Sequence, residues 1–590
     1  MNQHHDVPAA RRRRRKAAFA LIGAAGLLAA GAAAIAACGA SDYDVGADYP
    51  DAGAWGGGDA SGSSPECFSS SECPVGWTCS EFGFCVPPPD PGPDGGTPPP
   101  PPETEYDLSA PVSSRRFVWV AMTEKDAVAK IDGETLEVAS IKVGESPEVL
   151  VTLPGTDTAV VLDHVNGAAA VVRPAVGNQL VDLEPTLPNL NRLSASPDGL
   201  HAVAWFDLNK AIADAGSLDA VEDIGSFQDV TVIGLDPAGP RTVDLTVGFR
   251  PREVEFDATG ARAYVITDDG VSVIDLGQVF DQGPVIIPPV PVTSDPFADA
   301  SGLEVDVVAG GDLALVREPG EAWLRAVRLT GPAAGTAWEI DLPGVPSDLE
   351  LSPDGAHAYA VLREAHQLAV LDVPGDVVDP AGVEYVDLSD ATSGSLSLTA
   401  DGHRGVLYTN AFLDERLTVI DLDQPGYPHR TFPLQKSVRA VGLSPDGSKL
   451  MVLHARAPGD PGSATTFEEF VDRSFGYSVV DVATGFAKLQ LTLVDPGNFA
   501  FAGSRPRAYV VLDGGDAEGA LAACQEIELD TGVVRTILLG SPPAAVGVLP
   551  ATDKVFVSQR HPLGRVSFID IDSGQVRTLT GFDLNSQIID

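Results

Sequence analysis

Four cysteines, Cys67, Cys73, Cys79 and Cys85, are separated by five residues each in ECFSSSECPVGWTCSEFGFCV. Thiols at this density either hold a zinc ion or join as two disulfides. Zinc sites are built from C-x2-C knuckles, and neither pair here has that spacing. A segment of about twenty residues also has too little core to fold without cross-links. Two disulfides are therefore expected, with three connectivities open. A lone thiol, Cys524 in EGALAACQEIELD, sits among alanine and leucine with no histidine near it in sequence, the setting of a buried, inert thiol. The ten histidines form no H-x-H or H-E-x-x-H pattern. His201 and His357 take the same place after an S-P-D-G turn and His403 follows A-D-G, which reads as surface hairpin positions rather than a shared metal site. Acidic pairs such as Asp421 with Asp423 and Asp570 with Asp572 lie two apart and would share a strand face, but two carboxylates do not make a calcium cage. No cofactor is expected; calcium is the one cation that the acid excess keeps in view.

The N-terminus carries an address. Arg11 to Lys16 are six consecutive positive charges, and AAFALIGAAGLLAAGAAAIAA, from Ala17 to Ala37, follows without a charge. This is the layout of an export leader. Its end, Ile35-Ala36-Ala37-Cys38, resembles the lipobox of bacterial lipoproteins. The resemblance implies a diacylglyceryl group on the Cys38 sulfur, cleavage before Cys38 and acylation of the new amine. Acyl chains at about 0.8 kcal/mol per methylene would hold a soluble domain at a bilayer without a span. An uncleaved transmembrane helix over the same 21 residues is the competing reading. Gly39 stands where an aspartate would resemble an inner-membrane retention signal, so an outer-membrane destination is expected.

Charge narrows the partners. The chain has 38 basic and 83 acidic residues, net −45, and losing the leader moves this to −50. Such a surface repels phosphate backbones and anionic headgroups, which excludes nucleic acid as a partner and leaves the lipid anchor as the contact with the membrane.

Composition divides the chain into a signal peptide over 1–37, lipidated Cys38 with a flexible tether over 38–64, the cysteine-rich module over 65–86, a proline-rich linker over 87–104 and a large domain over 105–590. The tether has too few aliphatic residues to offset chain entropy and is expected to be a disordered stalk. In the linker, PPPDPGPDGGTPPPPPE favours polyproline II and would reach on the order of 50 Å.

The large domain repeats itself. LSPDGAHAYAVL from Leu351 returns as LSPDGSKLMVLH from Leu443, SASPDGLHAVAWF from Ser194, FDATGARAYVIT from Phe256 and LTADGHRGVLYTN from Leu398. Proline presets φ, aspartate accepts backbone hydrogen bonds and glycine supplies positive φ, so the phrase is a hairpin turn. Each second strand soon leads to a third with a common ending, VSVIDL, LAVLDV, LTVIDL, YSVVDV and VSFIDI, and a fourth such as EVASIKVG follows. Asp275, Asp372, Asp421, Asp481 and Asp570 at those endings are expected to cap turns. Turns at 155, 199, 260, 311, 355, 402, 447, 503 and 553 recur about every 50 residues. Four strands at that period specify an all-β fold, a single β-propeller. The unit from Phe117 to Gly144 lacks an innermost strand, which the tail FDLNSQIID could supply as a clasp.

The unit V-x-[SP]-D-G-x-x-A-Y-V … V-x-V-I-D-x-x-T-G resembles the YVTN-type repeats of surface-layer-like or lactonase-like bacterial propellers, over roughly Phe117 to Gly581. The resemblance implies seven or eight blades, whereas counting turns indicates nine or ten, with one or two units open to being insertions; seven to ten is the expected range. No motif places a lactonase-type catalytic residue. Three insertions, Asn209 to Gln228, Leu276 to Ala300 and Ala455 to Phe475, are expected to rim one face as a partner site. The function expected is that of a non-catalytic, lipid-anchored binding or scaffold propeller of the cell envelope, taking a protein or glycan partner on its loop face. The alternative is an extracytoplasmic lactonase-like hydrolase with its site at the channel.

Overall fold

The computed structural model describes residues 78–79, 85–86, 102–103, 112–163, 165–174, 179–236, 238–294, 302–515, 520–582 and 586–589. Glu103–Asp590 falls in one compact unit and Leu28–Pro102 in another. In the latter, Thr78–Cys79 pairs antiparallel with Cys85–Val86, and Cys79 stands opposite Cys85 in the register. Cys38, Cys67 and Cys73 lie outside the described residues. Among the described residues no helix is long and apolar enough to cross a membrane.

Ten sheets follow one another along the large unit, nearly all with their strands in sequence order. Blade 2 begins at Pro147–Thr152, blade 3 at Arg192–Ala195, blade 4 at Glu253–Phe256, blade 5 at Glu304–Val307 and blade 6 at Asp348–Leu351. Blades 7 to 10 begin at Ser395–Leu398, Val438–Leu443, Pro496–Ala502 and Pro543–Leu549. First strands of successive blades approach one another, so they form the inside of the ring. One apolar cluster fills each seam between neighbours. The seam of blades 10 and 1, where Phe556, Phe568 and Leu549 meet Val118 and Ile131, closes the circle. The protein is thus a β-propeller of ten blades, and the seven or eight implied by the repeat resemblance are corrected. All nine anticipated turns join a first strand to a second, and none belongs to an insertion.

The turns form for the anticipated reason. Gly199, Gly355, Gly402 and Gly447 have φ between 65° and 76°. In each of these turns a hydroxyl bonds the aspartate and takes the N–H that restarts the strand: Ser352 Oγ donates to Asp354 at 2.6 Å and accepts from His357 N at 2.9 Å. Four of the five strand-ending aspartates cap turns as expected; Asp481, for example, accepts from Thr484 N at 2.8 Å. Asp372 instead contacts His357 at 2.9 Å. Cys524 is fully buried, and desolvation pushes its thiol up to about 12.

Two further expectations change. The tail strand Ser586–Ile589 does join the sheet of Phe117–Met122, but at the outer edge, parallel to Val138–Lys142. The inner place is taken by the chain just before blade 1: Ser113 bridges Val118, and Trp119 N donates to Val112 O. Blade 4 has three strands of its own. Part of the Leu276 to Ala300 insertion substitutes for the fourth, with Val290 bridging Val271 and Ile286 bridging Thr246 of blade 3.

Candidate functional site

Because strands alternate in direction, the turns joining second to third strands share one face of the ring with the blade-to-blade connections. Two of the three insertions leave from this face, those of blades 3 and 8, which stand opposite each other in a ring of ten. The third starts from the other face and climbs the outer side of blade 4, so the expectation that all three rim one face is corrected. Its route is fixed by Phe280, which stacks on His201 at 6.3 Å and packs under the Arg241 guanidinium at 4.3 Å.

The blade 3 insertion opens with helix Leu208–Ala215, whose N-cap is Asp207. The Asp207 carboxylate accepts from Asn209 N at 2.9 Å and from Arg192 Nε at 3.0 Å, tying the helix start to the inner strand. The blade 8 insertion carries helix Phe467–Arg473, capped by Thr466. Its end is held from below by Lys436, a buried ammonium that donates to Val471 O at 2.7 Å and Asp472 O at 2.9 Å. Burial draws the Lys436 pKa down, and the neighbouring Asp472 and Glu415 oppose that.

These insertions and the neighbouring turns expose apolar side chains. Leu218, Ile224, Phe412, Leu413, Phe467 and Phe470 are 40% to 73% exposed. Val165, Phe249, Val345, Leu493 and Leu563 are exposed on the same face at separate blades, whereas Phe412, Leu413, Phe467 and Phe470 fall together on the adjacent blades 7 and 8. On the opposite face, exposed apolar residues such as Val378, Phe486 and Val533 stand singly at turns of separate blades.

Three inner-strand polar groups are committed to the neighbouring blade. Glu255 of blade 4 accepts from Val307 N of blade 5 at 3.2 Å, Asp348 of blade 6 from Leu396 N of blade 7 at 2.8 Å, and Asn498 of blade 9 from Val546 N of blade 10 at 2.9 Å. Ion pairs at the loop-face ends of strands do similar work: Arg439 of blade 8 meets Asp495 at 2.8 Å and Arg560 of blade 10 meets Asp513 of blade 9 at 2.7 Å. Among the described residues no three His, Cys, Asp or Glu side chains gather as a metal-binding group. Two depressions of about 380 and 330 Å³ lie on outer strands, around Arg241 with Phe280 and around Asp421 with His429.

One pair has the look of catalytic chemistry. His454 Nε2 lies 2.7 Å from Ser478 Oγ while Nδ1 faces Ser437 O at 3.1 Å. Both side chains are buried, and burial holds the His454 pKa at about 4. Third-strand hydroxyls recur in this role: Thr418 accepts from Thr392 N and Thr231 from Leu187 N, each stitching a blade-to-blade loop to the next blade. Ser478 takes the same place on the third strand of blade 8, three residues before the strand-ending aspartate, and it and His454 are both buried. Spacing in sequence gave no hint of the pair, because its members lie 24 residues apart on strands separated by an insertion.

No protein-family model matches the chain, and no curated protein matches it. Solved structures do. The dihydro-heme d1 dehydrogenase NirN in complex with DHE is similar at 12% identity and a TM-score of 0.35, covering 82% of this chain and 76% of that one. Apo AztD from Citrobacter koseri is similar at 14% identity and a TM-score of 0.34, covering 71% and 94%. Kuenenia stuttgartiensis hydrazine synthase is similar at 15% identity and a TM-score of 0.29, covering 45% and 76%. At these scores the likenesses carry no functional argument.

Proposed function

We propose that this protein is a non-catalytic binding propeller of the cell envelope, held by a lipid on Cys38, that takes a protein partner on its loop face. The observation that carries the reading is the concentration of exposed aliphatic and phenylalanine side chains on the turns and insertion of blades 7 and 8. Apolar surface gathered on a soluble domain marks interaction sites, and single exposed residues do not. Phenylalanine and leucine without accompanying tryptophan or tyrosine favour a protein over a glycan. The commitment of inner-strand carboxylates and amides to backbone N–H groups of the next blade supports binding over hydrolysis in the channel. The order of basic run, apolar stretch and small residues before Cys38 supports the anchor.

A photo-crosslinking residue placed at Phe412 or Phe467 is expected to yield one discrete protein adduct in cells, and at Phe486 on the other face none. Adducts of equal yield from both faces, or none from Phe412 and Phe467, would sink the reading. Cys38→Ala should abolish incorporation of labelled palmitate and move the protein from the membrane to the soluble fraction; a variant still sedimenting with membranes would remove the anchor.

A further inference from the structure

Glu103 ends the proline-rich linker, yet its side chain is only 6% exposed. Its carboxylate takes four donors between blades 6 and 7. Arg363 Nη1 lies 2.6 Å and Thr409 Oγ1 2.7 Å from Oε1, and the backbone N–H groups of Asn410 and Ala411 lie 2.7 and 3.1 Å from Oε2. Arg363 follows the second strand of blade 6 and Thr409 that of blade 7, so the pocket opens on the loop face. Gly394 makes the room: a Cβ there would stand 2.4 Å from Glu103 Oε1. Its carbonyl is fixed by Ser347 Oγ at 2.6 Å. A guanidinium, a hydroxyl and two adjacent amide N–H groups converging on one point match both oxygens of a carboxylate.

We propose that blades 6 and 7 form a carboxylate-binding socket whose resident ligand is Glu103, and that the socket accepts an acidic side chain of a partner polypeptide when Glu103 leaves. The donors belong wholly to the ring, and the ligand belongs to a segment tethered to it. A tethered ligand faces competition only from partners that add contacts of their own, since its effective concentration is in the millimolar range. Phe412 and Leu413, which directly follow the socket's amides and are exposed, offer such contacts to a segment carrying an apolar residue beside its acid. The socket itself does not depend on the proposed function, because it stands on the Glu103 contacts alone.

The test uses propionate as a surrogate side chain on the full chain. Glu103→Ala is expected to lower the melting temperature by roughly 2–4 °C. Sodium propionate should restore at least half of that shift, saturably, beyond what sodium chloride of equal ionic strength does, while wild-type protein, its socket filled, does not respond. Arg363→Ala in the same background should abolish the rescue, and Gly394→Ala, which fills the pocket, should do the same. Propionate acting no better than chloride on Glu103→Ala, or equally on wild type, would overturn the socket whatever the crosslinking at Phe412 returns.

Discussion

Phe556→Ala is expected to destabilise the protein by about 3–5 kcal/mol, read as a lowered denaturant midpoint with an unchanged slope. Phe556 is fully buried on the second strand of blade 10, and its cluster includes Val118 and Ile131 of blade 1. The cost combines the lost transfer energy of a phenyl ring with the cavity left between two sheets that packing against their other neighbours keeps from collapsing. Phe412→Ala, exposed on the loop face, should change stability by less than about 0.5 kcal/mol. The contrast tests ring closure: if the chain were an open arc ending at blade 10, Phe556 would face solvent and the two substitutions would behave alike.

The turns were legible because their chemistry is local. A glycine near φ 70° and an aspartate two residues after a hydroxyl are written within five positions at Gly199, Gly355, Gly402 and Gly447, and the degenerate turns, such as those at Gly503 and Asp553, followed from the period that these copies set. Blade number was legible only by counting those turns, since no residue states the wedge angle between sheets. The family resemblance implied the wrong ring size for that reason. Other features depend on distant pairing. The tail was correctly assigned to blade 1 but to the wrong edge, because its short apolar pattern fits either an inner or an outer strand and the competing residues Val112 to Ser114 carry no strand signature. Glu103 reads as part of a linker in PPPPPETEY, and only the fold brings Arg363 and Asn410 to it across more than 250 residues.

His454 should make the protein acid-labile in a window set by its own titration. In the unfolded chain a histidine titrates near 6.5, whereas in the folded protein burial, with Lys436 and Arg439 adding positive charge nearby, holds it at about 4. Between these values the unfolded chain binds the proton and the native protein does not, so stability is complete above about pH 7, falls as pH drops from 6.5 to 4, and levels off below. The full loss amounts to about 3 kcal/mol. His201, whose pKa is also drawn down by burial, acts in the same direction as pH falls below 6.5, while Asp481, held at about 2, acts only at lower pH. The ring supplies its own replacement for His454. At the corresponding strand end of blade 10, Gln559 Nε2 donates to Ser567 Oγ at 2.7 Å, the contact that His454 makes with Ser478. His454→Gln is therefore expected to keep stability at pH 7.5 within about 1 kcal/mol and to remove most of the slope between pH 6.5 and 4, measured by urea titration at each pH. An unchanged slope would move the acid sensitivity to His201 and show that the seam of blade 8 admits a proton without penalty.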